Sequence, residues 1–234
     1  MTSRTKTIKK GFQVETRNLL ILPRGYRSDR TYPLVTALHG MGMNAEEFAE
    51  LLAPLTELPI ILFVPEGVHP FEIRAGGQMR IGRAWYLYTG DEAEFVQSMK
   101  ASGRHLRTLV DRVIAEVQVD PDRRVLLGFS QGGYCAGYLG IQHAARLAGL
   151  VVMCARVKDE VLEKELTRAG DLSVLLVHGR KDRAVPFKAA KQSEAALQAA
   201  SLDVELRSYD CGHHVTAEQI RDVKAWLKKL FRLR

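Results

Sequence analysis

Ser130 stands in the run Gly128-Phe129-Ser130-Gln131-Gly132-Gly133, directly after the apolar stretch Val125-Leu126-Leu127. The Gly-x-Ser-x-Gly spacing suits nucleophilic attack. A serine at the tip of a sharp strand-to-helix turn is held in a strained backbone conformation and lifted clear of the sheet. Side chains two positions before and two after it would collide with the neighbouring strand or helix, so Gly128 and Gly132 leave that space empty. The turn also places the backbone N–H of Gln131 at a helix N-terminus, where negative charge is favoured.

A serine hydroxyl is a weak nucleophile until a base takes its proton and an acid holds that base in one tautomer. Asp182 lies in His178-Gly179-Arg180-Lys181-Asp182-Arg183-Ala184-Val185-Pro186, after the apolar segment 173–177. Asp171 precedes that segment, and Asp203 and Asp210 are the other acidic alternatives. Asp182 is preferred because it follows the serine and sits at the carboxyl end of a strand. His213 and His214 lie between the last strand and the last helix. Consecutive loop residues point apart, and His213, following Gly212, is assigned the base while His214 falls on the rim. Ser130, Asp182, His213 is a chain order used by serine hydrolases built on parallel sheets. In Leu38-His39-Gly40-Met41-Gly42 the glycines allow a tight turn that offers the N–H of Met41 beside that of Gln131, a two-donor oxyanion hole. His39 orients this loop through hydrogen bonds and is not assigned a base. Trp85 and Tyr86 are the candidate substrate-binding residues; they either line an acyl pocket or anchor a long loop.

The elements that must position these groups follow from pattern. Strands are expected over 11–22, 33–38, 59–64, 124–129, 149–153, 173–177 and 203–209. Helices are expected from Asn44, over 92–118, 131–145, 158–169, 187–200 and 217–231. Asn44-Ala45-Glu46-Glu47 and Thr216-Ala217-Glu218-Gln219 both have capping-box form. Leu106, Leu109, Val110, Val113 and Val117 make one face of the 92–118 helix, and Ile220, Val223, Leu227 and Leu230 the stripe of the last. Residues 65–91 are expected as a long loop. Apolar strands alternating with helices predict a mostly parallel central sheet with helices on both faces, in a single α/β domain over 15–234 behind a flexible tail over 1–14. Functional loops then gather at the carboxyl ends of the strands.

The 234 residues carry a formal charge of +7 and three cysteines. The positive residues are scattered, apart from the two chain ends, so no nucleic-acid partner is predicted. Three irregularly spaced cysteines make no disulfide framework and suit a reducing compartment. Residues 1–10 are polar and basic, without the apolar core of a secretory leader, and no apolar stretch approaches the roughly 18 residues of a membrane span. A cytoplasmic protein without integral membrane association is expected. Cys211-Gly212-His213-His214 lacks the companion spacing of a zinc site, so no metal is predicted, and Cys135 reads as a packed thiol.

These segments resemble the phospholipase/carboxylesterase family of small α/β-hydrolases, which includes the acyl-protein thioesterases. Leu38 to Gly42, Gly128 to Gly133, His178 to Asp182 through Val185-Pro186, and Gly212-His213 carry the match, and Arg83-Ala84-Trp85-Tyr86 is similar to that family's substrate-side loop. The stretch from Tyr26 to Gly40 is also similar to polyhydroxybutyrate-depolymerase-like esterases. Where the family often has Asp after the second loop glycine, Met43-Asn44 stands here. The resemblance implies an α/β-hydrolase fold and a serine esterase without cofactor, acting on a small-molecule ester or thioester of short to medium acyl chain. A peptidase of the same fold and a non-catalytic ligand-binding protein are the alternatives. An exposed Trp85–Tyr88 patch could serve a homodimer.

Overall fold

Along the central strands the apolar side chains alternate between two cores, which is why these runs are hydrophobic without interruption. Leu126, Leu150, Val152, Val174 and Leu176 face one layer, while Val125, Leu127, Val151, Met153, Leu175 and Val177 face the other. A computed structural model describes residues 15–233; the tail expected over 1–14 lies outside the described residues.

In chain order the elements are β1 (Leu19–Ile21), β2 (Tyr32–Leu38), α1 (Ala45–Leu51), β3 (Ile61–Val64), β4 (His69–Ala75), β5 (Gln78–Ala84) and α2 (Glu92–Glu116). There follow β6 (Val119–Phe129), α3 (Gln131–Gln142), β7 (Gly149–Met153), α4 (Glu163–Leu166), β8 (Ser173–Gly179), α5 (Phe187–Ala199), β9 (Asp203–Tyr209) and α6 (Ala217–Leu230). Seven strands form one sheet in the order β1-β3-β2-β6-β7-β8-β9. Among the described residues of this sheet only β1 runs antiparallel to its neighbour, and the other pairs are parallel. Helices α2, α3 and α5 cover one face through Phe95, Met99, Leu106, Leu139 and Leu197. Helices α1 and α6 cover the other through Phe48, Ile220, Val223 and Leu227. Both capping boxes form: Asn44 Oδ1 accepts the Glu47 N–H at 2.8 Å, and Thr216 Oγ1 accepts that of Gln219 at 3.2 Å.

Three expectations need correction. Residues 65–91 are not a structureless loop: β4 and β5 pair as an antiparallel hairpin in which Ala75 opposes Gln78. Gly76 and Gly77 form its two-residue turn with φ of +58° and +76°, the pairing of positive angles that suits the twist of a hairpin. The 158–169 segment is not one helix, for only a 3-10 turn (Asp159–Val161) and the short α4 are helical. Within 15–22 only Leu19–Ile21 is strand. Among the described residues no helix is long and apolar enough to cross a membrane.

Candidate active site

The connection between β6 and α3 is as abrupt as the glycines predict. Ser130 adopts φ 52°, ψ −119°, a left-handed conformation costly for any residue with a Cβ. A Cβ on Gly128 would lie 2.1 Å from the carbonyl oxygen of Gly132, and one on Gly132 would lie 2.2 Å from that of Leu38. The elbow therefore closes only with hydrogen at both positions. The N–H of Ser130 donates to the carbonyl of Met153 at 2.9 Å, fixing the turn to the end of β7.

Two further strand ends approach it. The loops after β8 and β9 are laced together by Arg180 N–H to Tyr209 O (2.8 Å) and Lys181 N–H to Cys211 O (2.9 Å). The approach is so close that a Cβ on Gly179 would meet the Cys211 carbonyl at 2.4 Å. This brings Asp182 and His213 together. His213 Nδ1–H donates to Asp182 Oδ2 at 2.7 Å, and His213 Nε2 lies 2.8 Å from Ser130 Oγ, where it can accept the hydroxyl proton. The Phe129 ring packs on the imidazole with centroids 5.4 Å apart. His214 is exposed on the rim.

The buried Asp182 carboxylate is held by its own loop as well as by His213. Oδ1 accepts the N–H groups of Ala184 (2.9 Å) and Val185 (2.8 Å). His178, which sequence reasoning left without a role, lies beneath with Nε2–H donating to Val185 O at 2.8 Å and 3.5 Å from Asp182 Oδ2. Burial lowers the His178 pKa, keeping the ring neutral. Cys154, buried and at φ 47°, has its thiol pushed up to about 12 by burial. The ligating atoms of Cys154, Asp182 and His213 lie within 4.8 Å of one another, the one such metal-capable group among the described residues. To bind a cation there, the His213–Asp182 hydrogen bond would have to open and a high-pKa thiol lose its proton.

The turn carrying Met41 is braced from three sides. His39 Nδ1–H donates to Gly40 O at 2.8 Å, and its Nε2 accepts the Gly67 N–H at 3.0 Å. Trp85 Nε1–H donates to His39 O at 2.8 Å. The β4–β5 hairpin docks through Gly42 N–H to Arg83 O (2.9 Å) and Arg83 N–H to Met43 O (3.1 Å). Among the described residues, the N–H groups of Met41 and Gln131 take part in no hydrogen bond, so both are available to an incoming oxygen. The Gln131 side chain clamps the following loop instead, with Oε1 accepting the Trp85 N–H (2.8 Å) and Nε2–H donating to Tyr86 O (2.9 Å).

This clamp settles how the two aromatic candidates differ in place. Trp85 is wholly buried behind the site and anchors the loop, whereas Tyr86 faces the cleft that holds Ser130 and His213. The expected exposed patch over Trp85–Tyr88 therefore shrinks to Leu87 and Tyr88. The cleft measures about 510 Å³ and is walled by Tyr86, Phe95, Tyr134 and Val185, with Met41 at its edge. Phe95 and Tyr134 carried no distinguishing sequence signal; each reaches the cleft only through packing of α2 and α3 on the sheet.

Burial holds His39 neutral, its pKa lowered from 6.5 to about 4, so it contributes to acid sensitivity. Below pH 6.5 the unfolded chain binds a proton that the native ring refuses, and native stability falls until about pH 4. His39→Gln is expected to be less stable at neutral pH, yet to lose about 2 kcal/mol less than wild type between pH 7.5 and 4.5. Urea unfolding at the two pH values checks this; equal losses would remove His39 as the source.

Residues 26–231 match the family described as Phospholipase/Carboxylesterase. The chain is 27% identical over 141 residues to acyl-protein thioesterase 1 of Gibberella zeae (58% of this chain, 60% of the relative). It is 24% identical over 142 residues to carboxylesterase SOBER1 of Arabidopsis thaliana (59% and 60%). The chain thus spans about 60% of the length of the curated relatives it matches. Among solved structures, esterase PE8 superposes with a TM-score of 0.76 at 22% identity, covering 93% of this chain and 100% of that one. Acyl-protein thioesterase 2 of Zea mays does so with 0.73 at 23%, covering 92% and 99%. These likenesses establish an α/β-hydrolase fold.

Proposed function

Since the chain belongs to the phospholipase/carboxylesterase family, we propose that it is a serine hydrolase that cleaves carboxylic esters or thioesters of short to medium acyl chain. The observation that carries this reading is the continuous hydrogen-bonded line from Ser130 Oγ through His213 to buried Asp182, at a serine held in a strained turn. As Ser130 Oγ attacks the acyl carbon, its proton passes to His213 Nε2, and Asp182 stabilises the imidazolium that results. The N–H groups of Met41 and Gln131 receive the oxygen on which negative charge develops. Collapse expels the alcohol or thiol, protonated by His213, and leaves an acyl-Ser130 ester. Water, deprotonated by the same ring, then releases the acid. No step calls on a cofactor. Free cysteines, two of them buried, support a cytoplasmic location, which cell fractionation checks.

The reading predicts that an alkyl fluorophosphonate labels the folded protein once, with the adduct on the Ser130 peptide. A para-nitrophenyl ester series from acetate to palmitate should show turnover that declines at the longest chains. Folded protein that neither takes the probe nor turns over any ester would overturn the proposal in favour of a non-catalytic ligand-binding protein.

A further inference from the structure

Two cations share the cleft with Ser130 and His213, and the hydrolytic cycle uses neither. Arg156 and Lys158 follow β7, and both line the cavity. Between them, Val157 is wholly buried, its N–H held at 2.9 Å by the hydroxyl of Ser193, itself buried. Pinning the middle residue inward turns its two neighbours toward the cleft. Lys158 is not a solvated surface lysine. Its side chain is only 12% exposed, and Nζ lies 4.4 Å from the centroid of the Phe95 ring and 5.8 Å from that of Tyr88. Such a cation has given up much of its hydration for contact with ring faces. Among the described residues the carboxylates near the pair are Glu160 and Asp159. Glu160 is engaged by both terminal guanidinium nitrogens of Arg156 and reaches Lys158 only at 3.6 Å, while Asp159 stands 3.9 Å from Arg156. Neither acid lines the cavity. The cleft thus presents positive charge beyond an aromatic wall.

Resting on the serine-hydrolase reading of the same site, we infer that the preferred substrate is an ester or thioester bearing a second, anionic group. A short apolar or aromatic spacer lies along Tyr86 and Phe95, and a carboxylate or phosphate meets Lys158 and Arg156. The scissile carbonyl then sits at Ser130 while the far charge fixes register. A fatty acyl chain would instead lie against Lys158, whose nearest carboxylate is Glu160 at 3.6 Å, and desolvating that cation against hydrocarbon is unfavourable.

Matched ester pairs test this. On the acyl side, para-nitrophenyl hydrogen adipate is set against para-nitrophenyl hexanoate; on the alcohol side, para-acetoxybenzoate and para-acetoxyphenyl phosphate are set against phenyl acetate. The expected result is a kcat/KM about tenfold higher for the anionic member on at least one side. That ratio should fall to about one in Lys158→Met and invert in Lys158→Glu. The wild-type enzyme gives an independent reading. Raising NaCl from about 0.02 to about 0.5 M should lower kcat/KM several-fold for the anionic ester and leave the neutral one unchanged. Turnover of neutral esters with no anionic preference on either side, or a preference insensitive to both Lys158 and salt, overturns the inference and leaves the hydrolase reading intact. Absence of all turnover, together with absence of fluorophosphonate labelling, overturns both.

Discussion

Exchanging Ser130 for alanine is expected to lower kcat/KM for ester hydrolysis by about 10⁵-fold, while the fold and its melting temperature stay close to wild type. The loss is large because, in the proposed mechanism, the whole constellation serves to activate one oxygen. Without Oγ, His213 Nε2 has nothing to deprotonate except water, and the covalent route closes. Stability is expected to hold because Ala and Ser carry the same Cβ penalty at φ 52°, and Ser130 Oγ has one hydrogen-bond partner among the described residues, His213. Ser130→Gly separates strain from chemistry. It should be equally inactive, yet about 1 kcal/mol more stable, since glycine adopts this backbone without the steric cost. A more stable, inactive glycine variant would show that the turn stores strain for the sake of the nucleophile. An alanine variant retaining more than about a hundredth of wild-type activity would move the nucleophile elsewhere.

What could be read in the chain was whatever depends on local pattern. Apolar strands alternating with amphipathic helices specify a doubly covered parallel sheet, and Asn44 and Thr216 with their partners three residues on mark two helix starts that the structure closes as capping boxes. The positions of Ser130, Asp182 and His213 follow from the same logic, because each occupies the turn after a buried parallel strand and such turns gather at one edge of the sheet. The hairpin β4–β5 escaped this reading although its Gly76-Gly77 turn was visible. Met79 and Ile81 remain exposed, as does Arg80 between them, so no buried face stood out along the strand. The segment 158–169 misled in the opposite direction. Its composition suits a helix, but Val157 is fixed to Ser193, and the chain before Glu163 follows the contour of the core instead of its own propensity. Phe95, Tyr134 and Lys158, brought to the cleft from three separate stretches of chain, leave no mark in local sequence, and Tyr86 stood out only beside Trp85, with no sign of which of the two faces the cleft. Their proximity is a product of the fold.

Asp182→Asn is expected to lower kcat by about 10³- to 10⁴-fold with little change in KM. The size of the effect follows from how the carboxylate is held. Oδ1 accepts two backbone N–H groups, from Ala184 and Val185, at 2.9 and 2.8 Å. In asparagine only the carbonyl oxygen can take that place, for an amide NH₂ would set donor against donor. The NH₂ is therefore forced into the position of Oδ2, facing His213 Nδ1, with the Nε2–H of His178 at 3.5 Å. His213 must then accept at Nδ1 and carry its proton on Nε2, where it points at the hydroxyl it should deprotonate. The ring is present, correctly placed and in the wrong tautomer. Asp182→Ala provides the contrast. It leaves the buried N–H groups of Ala184 and Val185 without an acceptor, at a cost of about 1–3 kcal/mol each, so its loss of activity should come with a clear fall in melting temperature. The asparagine variant should keep its melting temperature close to wild type while losing turnover. Parallel losses of stability and activity in both variants would reduce Asp182 to a structural acceptor for its own loop. An asparagine variant with more than a tenth of wild-type kcat would show that His213 keeps its working tautomer without this carboxylate.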